Sequence, residues 1–249
     1  MLILLPPSEG KTGRARGARL DLARLSWPEL THTRATVLDA VAEASARPDA
    51  AEVLGVSPNL TTEISRNVAA RAAATLPALE CYSGVLYDAL AYAELSPAAR
   101  RRANRWLVVV SALYGAVRPT DRIAPYRLSM AVNLPGIGPL AAAWRPHLAP
   151  VLTGAAGRGL VVDCRSSTYA AAWAPAGEVA ARWVQVHVPG ATHMAKHTRG
   201  LVAADICELE GEPRSPAALA KALAPAFDVS LAAPTRAGRP WVLSATSRA

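Results

Sequence analysis

Cysteine is scarce in this chain of 249 residues: only Cys81, Cys164 and Cys207 occur, an odd number with no C-x-x-C spacing. That argues against a disulfide framework and favours a reducing cytosol. Phenylalanine appears once, as Phe227, and lysine three times, as Lys11, Lys196 and Lys221. The opening MLILLPPSEGKT has an apolar run of only about five residues and lacks a basic segment before it, too little for a secretory signal or a membrane span. Neither an internal repeat, a coiled-coil heptad nor a low-complexity linker divides the chain. With 51% hydrophobic and 18% charged residues, a disordered tail and a collagen are excluded. A cytoplasmic protein forming one domain over residues 1–249, with no membrane partner, is expected.

The charge balance is strongly basic. Lys and Arg total 27 against 19 Asp and Glu, giving a net charge of +8 and a sequence pI near 9.9. Such a balance suits nucleic acid or other anions. Removing the three lysines leaves 24 arginines in a chain crowded with Ala and Pro, so part of the basicity is compositional. Net charge permits DNA binding without establishing it, and the placement of the cations decides.

Leu2 to Leu5 is a continuous apolar run stopped by Pro6-Pro7, the pattern of a buried strand feeding a loop. Helical spacing runs from Thr31 to Ala46 and from Leu60 to Ala74, punctuated by Pro48, Pro58 and Pro77. A basic stretch, Arg100 to Arg102 and Arg105, precedes a second buried strand at Trp106 to Val110. Leu160 to Val162 repeats that logic. RWVQVHV, from Arg182, alternates as a half-exposed strand does, the segment from His193 reads as a helix, and Trp241 to Leu243 supplies a last strand. The fold class is therefore α/β (α+β mixed), a central mixed sheet flanked by helices, with polar residues gathered just beyond strand ends.

Several motifs invite functional readings. Gly10-Lys11-Thr12 has the amides, amine and hydroxyl of a phosphate loop, yet the required first glycine falls at Leu5, and Pro6 and Pro7 remove two amides. What survives is a strand-end loop that offers Ser8, Lys11 and Thr12 to an anion. Leu134-Pro135-Gly136-Ile137-Gly138, within residues 132–148, matches the hairpin of a helix-hairpin-helix element that holds a DNA phosphate. Its alternative is a surface turn between two short helices, with Pro146 and Pro150 breaking the second. His193 and His197 share a helix face, but Met194 stands where a zinc protease needs Glu, so no metal site is expected. Lys196 and Arg199 offer two cations one turn apart. Tyr114, Arg118, Asp121, Tyr126 and Arg127 form the densest polar-aromatic cluster, readable as an anion site or as an Arg118–Asp121 salt bridge with packed tyrosines.

Taken together, MLILLPPSEGKT, YSGVLYDAL from Tyr82, SALYGAVRPTDRIAPYRLSM from Ser111, LVVDCRSSTY from Leu160 and AKHTRGL from Ala195 resemble the peroxide stress protein YaaA family. The segments occur in family order and span most of the chain. Lys11 and Thr12 match the end of the family's Pro-Ala-Lys-Thr loop, here lengthened by Ser8, Glu9 and Gly10 as in a variant branch. The resemblance implies a fold peculiar to the family, a positively charged cleft, DNA binding, and a cytoplasmic role in limiting peroxide damage linked to iron. It also implies a helix-hairpin-helix nearer residues 54–70, where LGVSPNLTTEISRNVAA supplies two helices and a turn.

Two functions remain open. In the first, a DNA-binding stress protein sets Lys11, Arg118, Arg127, Lys196 and Arg199 against phosphates. In the second, an enzyme acts on a small anionic ligand, a nucleotide or phosphorylated metabolite. There Lys196, Asp163 and Tyr126 are catalytic candidates, Lys196 as base or nucleophile with Asp163 as partner. Ser8, Lys11, Thr12, Tyr114, Arg118, Arg127, Ser166, Ser167, Tyr169 and Arg199 would bind the substrate. No cofactor is called for. A dedicated iron site is disfavoured because His32, His147, His187, His193 and His197 are scattered without a facial carboxylate pattern.

Overall fold

A computed structural model describes residues 1–190 and 192–248. The apolar runs become the interior of a seven-stranded mixed sheet flanked by helices. In chain order the elements that matter here are β1 (Leu2–Leu5), α1 (Thr31–Ser45), α2 (Ala50–Leu54), α3 (Thr61–Ala69), α4 (Val85–Leu90), α5 (Pro97–Trp106), β2 (Leu107–Ser111), β3 (Gly115–Val117), α6 (Leu140–Ala156), β4 (Val161–Asp163), β5 (Trp183–His187), α7 (Thr192–Glu208), α8 (Pro216–Leu223), β6 (Phe227–Ala232) and β7 (Trp241–Ser247). Strand order across the sheet is β6-β7-β5-β4-β1-β2-β3. The five central strands are parallel, and β3 and β6 run antiparallel at the two edges.

Every residue of β1, β2 and β4 is buried, as strands covered on both faces require. From β1 the chain passes to β2 on one side and later returns to β4 on the other. The carboxyl ends of β1 and β4 therefore flank a reversal of strand order, where crossover connections diverge and leave a crevice.

Some boundaries differ from the sequence reading for identifiable reasons. Pro146 and Pro150 do not break a helix; both lie inside α6, which runs unbroken for 17 residues. Each proline forfeits one backbone bond, but Trp144, Leu148, Val151 and Leu152 are buried on this helix, and their burial offsets that loss. Trp144 donates to Ala112 O at 2.8 Å and lies against Gly115, where a Cβ would stand 2.5 Å from its ring. The LPGIG segment is neither of the two helical alternatives: Asn133–Leu134 pairs antiparallel with Gly138–Pro139 in a small β-hairpin, with Gly136 at φ 77°. Only the Thr61–Ala69 part of the Leu60–Ala74 pattern is helical. Strand β5 is less exposed than its alternation suggests, since Trp183, Val184 and Val186 are buried and only His187 is exposed. Edge strands β3 and β6 have no counterpart in the sequence reading, and α6 was expected only as a short helix broken at its prolines.

The arginine run belongs to α5, whose N-terminus is capped by Ser96 Oγ accepting from Ala99 N–H at 3.1 Å. Arg102 donates to Cys207 O at 2.6 Å, tying α5 to the end of α7. Among the described residues no helix is long and apolar enough to cross a membrane.

Candidate functional site

At the carboxyl ends of β1 and β4 a cavity of about 540 Å³ opens, lined by the loop from Pro6 to Lys11, the segment from Ser83 to Tyr87, Arg127 to Ser129, Ser166, Tyr169, Lys196, Arg199, and by Gly55 and Val56. Its size falls within the few hundred to a thousand cubic ångströms usual for small-molecule sites. Lys11, Arg127, Lys196 and Arg199 supply positive charge against one carboxylate, Glu9.

The loop after β1 is pinned from several sides. Thr12 N–H donates to Cys81 O at 2.8 Å, Ser83 N–H to Ser8 Oγ at 3.1 Å, Tyr87 OH to Pro6 O at 2.7 Å, and Arg66 Nη1 to Lys11 O at 3.1 Å. A Cβ on Gly10 would approach Ser83 Oγ to 3.2 Å. This bracing turns Lys11 inward, leaving it 7% exposed. Its Nζ donates to Ser8 O at 2.5 Å and lies over the rings of Tyr126, 4.2 Å from the centroid, and Tyr82, 5.6 Å away.

Burial removes water from the Lys11 ammonium and, with the like charges of Arg127 and Arg66, outweighs Cys81 and Glu9, bringing it down to about 7. Tyr126 OH shares hydrogen bonds with Ser111 Oγ at 2.7 Å and Tyr82 OH at 3.2 Å. Desolvation keeps that phenol protonated, well above its ordinary range, and pushes Tyr169 up to about 12. These tyrosines act as neutral hydrogen-bonding and packing groups.

Helix α7 brings in the remaining cations. A Cβ on Gly200 would fall 2.2 Å from Leu86 O and 2.8 Å from Ala89 Cβ, so α7 and α4 approach backbone to backbone at this residue. The crossing holds Lys196 and Arg199, one turn apart, at the cavity's edge. Lys196 is exposed, whereas Arg199 Nε donates to Val186 O at 3.3 Å. Opposite them, Arg127 Nη2 reaches Glu9 Oε2 at 3.3 Å.

Of the residues singled out from sequence, Ser8, Lys11, Arg127, Ser166, Tyr169, Lys196 and Arg199 line this cavity, and Tyr126 lies under Lys11. Thr12 and Ser167 are exposed and outside the lining. Tyr114 is wholly buried, donating to Ala124 O at 3.0 Å. Arg118 belongs to the other end of the sheet, donating to Arg105 O at 2.6 Å and Leu107 O at 3.2 Å and stacking 4.8 Å from the Trp27 ring centroid. Asp121 accepts from the Arg118 backbone N–H at 2.8 Å rather than from its guanidinium. Asp163 is buried in a forked pair with Arg165 at 2.8 and 2.6 Å, and accepts from Trp183 Nε1 at 3.1 Å.

Glu9, Ser83, Tyr87 and Ser129 also line the cavity without having been singled out. The only signal for Ser83 and Tyr87 was their place in the Tyr82–Leu90 segment, where Gly84, at φ 100°, turns the chain into α4. The 54–70 candidate holds one helix rather than two: α3 lies within it, whereas the preceding helix α2 is only five residues long and ends at Leu54, and Gly55 and Val56 of the connection reach the same cavity. Among the described residues no three His, Cys, Asp or Glu side chains gather as a metal site needs.

A family model described as the peroxide stress protein YaaA matches residues 1–230. A UPF0246 protein of Streptomyces coelicolor is 49% identical over 252 residues, covering 98% of this chain and 97% of that protein. UPF0246 proteins of Corynebacterium efficiens and Corynebacterium glutamicum strain R are 42% and 38% identical, covering 82% and 86% of this chain and 83% and 88% of their own lengths. The chain belongs to the peroxide stress protein YaaA family.

Proposed function

We propose that this YaaA-family chain is a cytoplasmic DNA-binding protein of the peroxide-stress response that limits iron-dependent oxidative damage, and that DNA phosphates lie along the rim of the β1–β4 cavity. One observation carries the reading: Gly55 and Val56, in the turn between α2 and α3, line the same cavity as the cations Arg127, Lys196 and Arg199. A turn between helices beside clustered cations suits sugar-phosphate recognition, which positions the protein without reading sequence. Fluorescence anisotropy with duplex and bubble DNA at about 50 mM salt, where electrostatic binding is strong, tests it. The wild-type chain should bind, and the Arg127→Ala/Lys196→Ala/Arg199→Ala variant, folded by circular dichroism, should lose most of that affinity. Absence of wild-type binding would refute the reading.

A second reading, an enzyme or receptor for a small anionic metabolite, is favoured by the buried Lys11 and the hydroxyls of Ser8, Ser83, Ser129 and Ser166 around it. Backbone-only DNA contacts need cations and not so many hydroxyls. In that reading Lys196, Arg127 and Ser166 hold the ligand. Calorimetric titration with nucleotides and sugar phosphates separates the two.

A further inference from the structure

Lys11 is more deeply placed than a lysine that serves only as counter-charge. Arg127, Lys196 and Arg199 already supply exposed or half-buried positive charge to the same cavity. Among the described residues no carboxylate forms an ion pair with Lys11; the nearest candidate, Glu9, is engaged by Arg127. Among the described residues the Nζ donates to Ser8 O and lies over two aromatic rings, Tyr126 and Tyr82. An amine withdrawn from water and set beside other cations is a usual arrangement for nucleophilic lysines. Burial brings its ammonium down to about 7, which makes the free amine accessible near neutral pH.

We propose that Lys11 condenses with the carbonyl group of a phosphate-bearing aldehyde held in this cavity, forming an imine. The proposal rests on the phosphate-binding reading of the rim. The Nζ lone pair forms an N–C bond as the C=O π pair moves to oxygen. A nitrogen proton passes to that oxygen, giving a carbinolamine. Protonation of its hydroxyl breaks the C–O bond and releases water, so amine, aldehyde and one proton become an iminium ion and water, with no oxidant or reductant. The rim cations hold the phosphate, and the Tyr126 ring bounds the amine on one side. A free aldehyde phosphate and the ring-opened sugar of an abasic DNA site share this chemistry.

The full chain would be incubated with glyceraldehyde 3-phosphate or, separately, with an oligonucleotide carrying an abasic site, then treated with cyanoborohydride and mapped by peptide mass spectrometry. Only Lys11, Lys196 and Lys221 compete as side-chain amines, so assignment is unambiguous. The expected result is a reduced adduct on Lys11 with at least one probe, at least about tenfold weaker labelling by unphosphorylated glyceraldehyde, the worth of a charge-assisted contact, and labelling that increases as pH rises through 7. The probe that labels identifies the source of the carbonyl. Adducts confined to Lys196, Lys221 or the N-terminus, with none on Lys11, would overturn the proposal. If Lys11 is labelled by the free aldehyde phosphate while intact DNA does not bind, the DNA reading falls and the imine stands. If DNA binds and Lys11 stays unlabelled, only the imine falls. A Lys11→Arg chain that still binds phosphate but is no longer labelled confirms the attachment site independently of folding.

Discussion

Lys11 Nζ lies 4.2 Å from the centroid of the Tyr126 ring, so the first loop of the chain is seated on a residue more than a hundred positions later. The ring face and the Ser8 carbonyl favour the ammonium, while removal from water and the nearby arginines oppose it. Desolvation wins, because the pair is enclosed rather than bathed.

This balance predicts a pH signature. At pH below about 7 Lys11 is protonated whether folded or unfolded, and the fold bears the full cost of burying it. Between about 7 and the ordinary value near 10.5 the unfolded chain binds more protons, so stability rises with pH across that window. The effect amounts to a few kcal/mol at most, at about 1.36 kcal/mol per unit. Lys11→Met should lack this rise, and urea midpoints of both chains from pH 6 to 10 would reveal it. Parallel curves would contradict the burial of a charged amine.

Gly200→Ala should damage both the fold and the site. The added methyl meets Leu86 O, and backbone cannot yield as a flexible side chain does. Overpacking of this kind costs about 1 to 3 kcal/mol. Because Lys196 and Arg199 travel with α7, ligand affinity should fall as well, read by denaturation and anisotropy on the same preparation.

Asp163→Ala should cost about 3 to 5 kcal/mol by stranding the buried Arg165 guanidinium without its partner. Replacing both residues with apolar side chains should be milder. Chains that remain folded should keep their ligand affinity, since the pair is buried beneath the site. Urea denaturation beside a binding titration distinguishes this structural role from the catalytic partnership that the sequence suggested.

Much of this was legible because buried parallel strands are short, apolar and bounded by turn residues. Leu2–Leu5 was readable to the residue for that reason. The continuity of α6 was not, since Pro146 and Pro150 act locally while Trp144 packs against distant Gly115. Part of the cavity lining was recoverable: Lys11 and Ser166 stand in the loops just beyond β1 and β4, and Lys196 lies on the helix that the sequence placed from His193. Tyr114 and Arg118 misled because their residue types suit a site equally well, and only the chain path sends Arg118 to the opposite end of β2. The burial that distinguishes Lys11 from Lys196 arises from long-range bracing by Arg66, Ser83 and Tyr126, which a linear pattern does not express.

Peroxide should spare the thiols. Cys81, Cys164 and Cys207 are free and buried, and desolvation holds them up to about 11, 12 and 12, leaving almost no thiolate to react. Met194 is 54% exposed, so mass spectrometry after mild peroxide treatment should find oxidation there before any cysteine.

The most direct test of the central claim is the salt dependence of DNA binding by the wild-type chain and by Lys196→Ala/Arg199→Ala. If the two α7 cations contact phosphates, removing them should reduce the slope of log affinity against log salt by about 0.9 each, or roughly 2 together. Equal slopes for the two chains would show that the cavity rim is not where DNA binds.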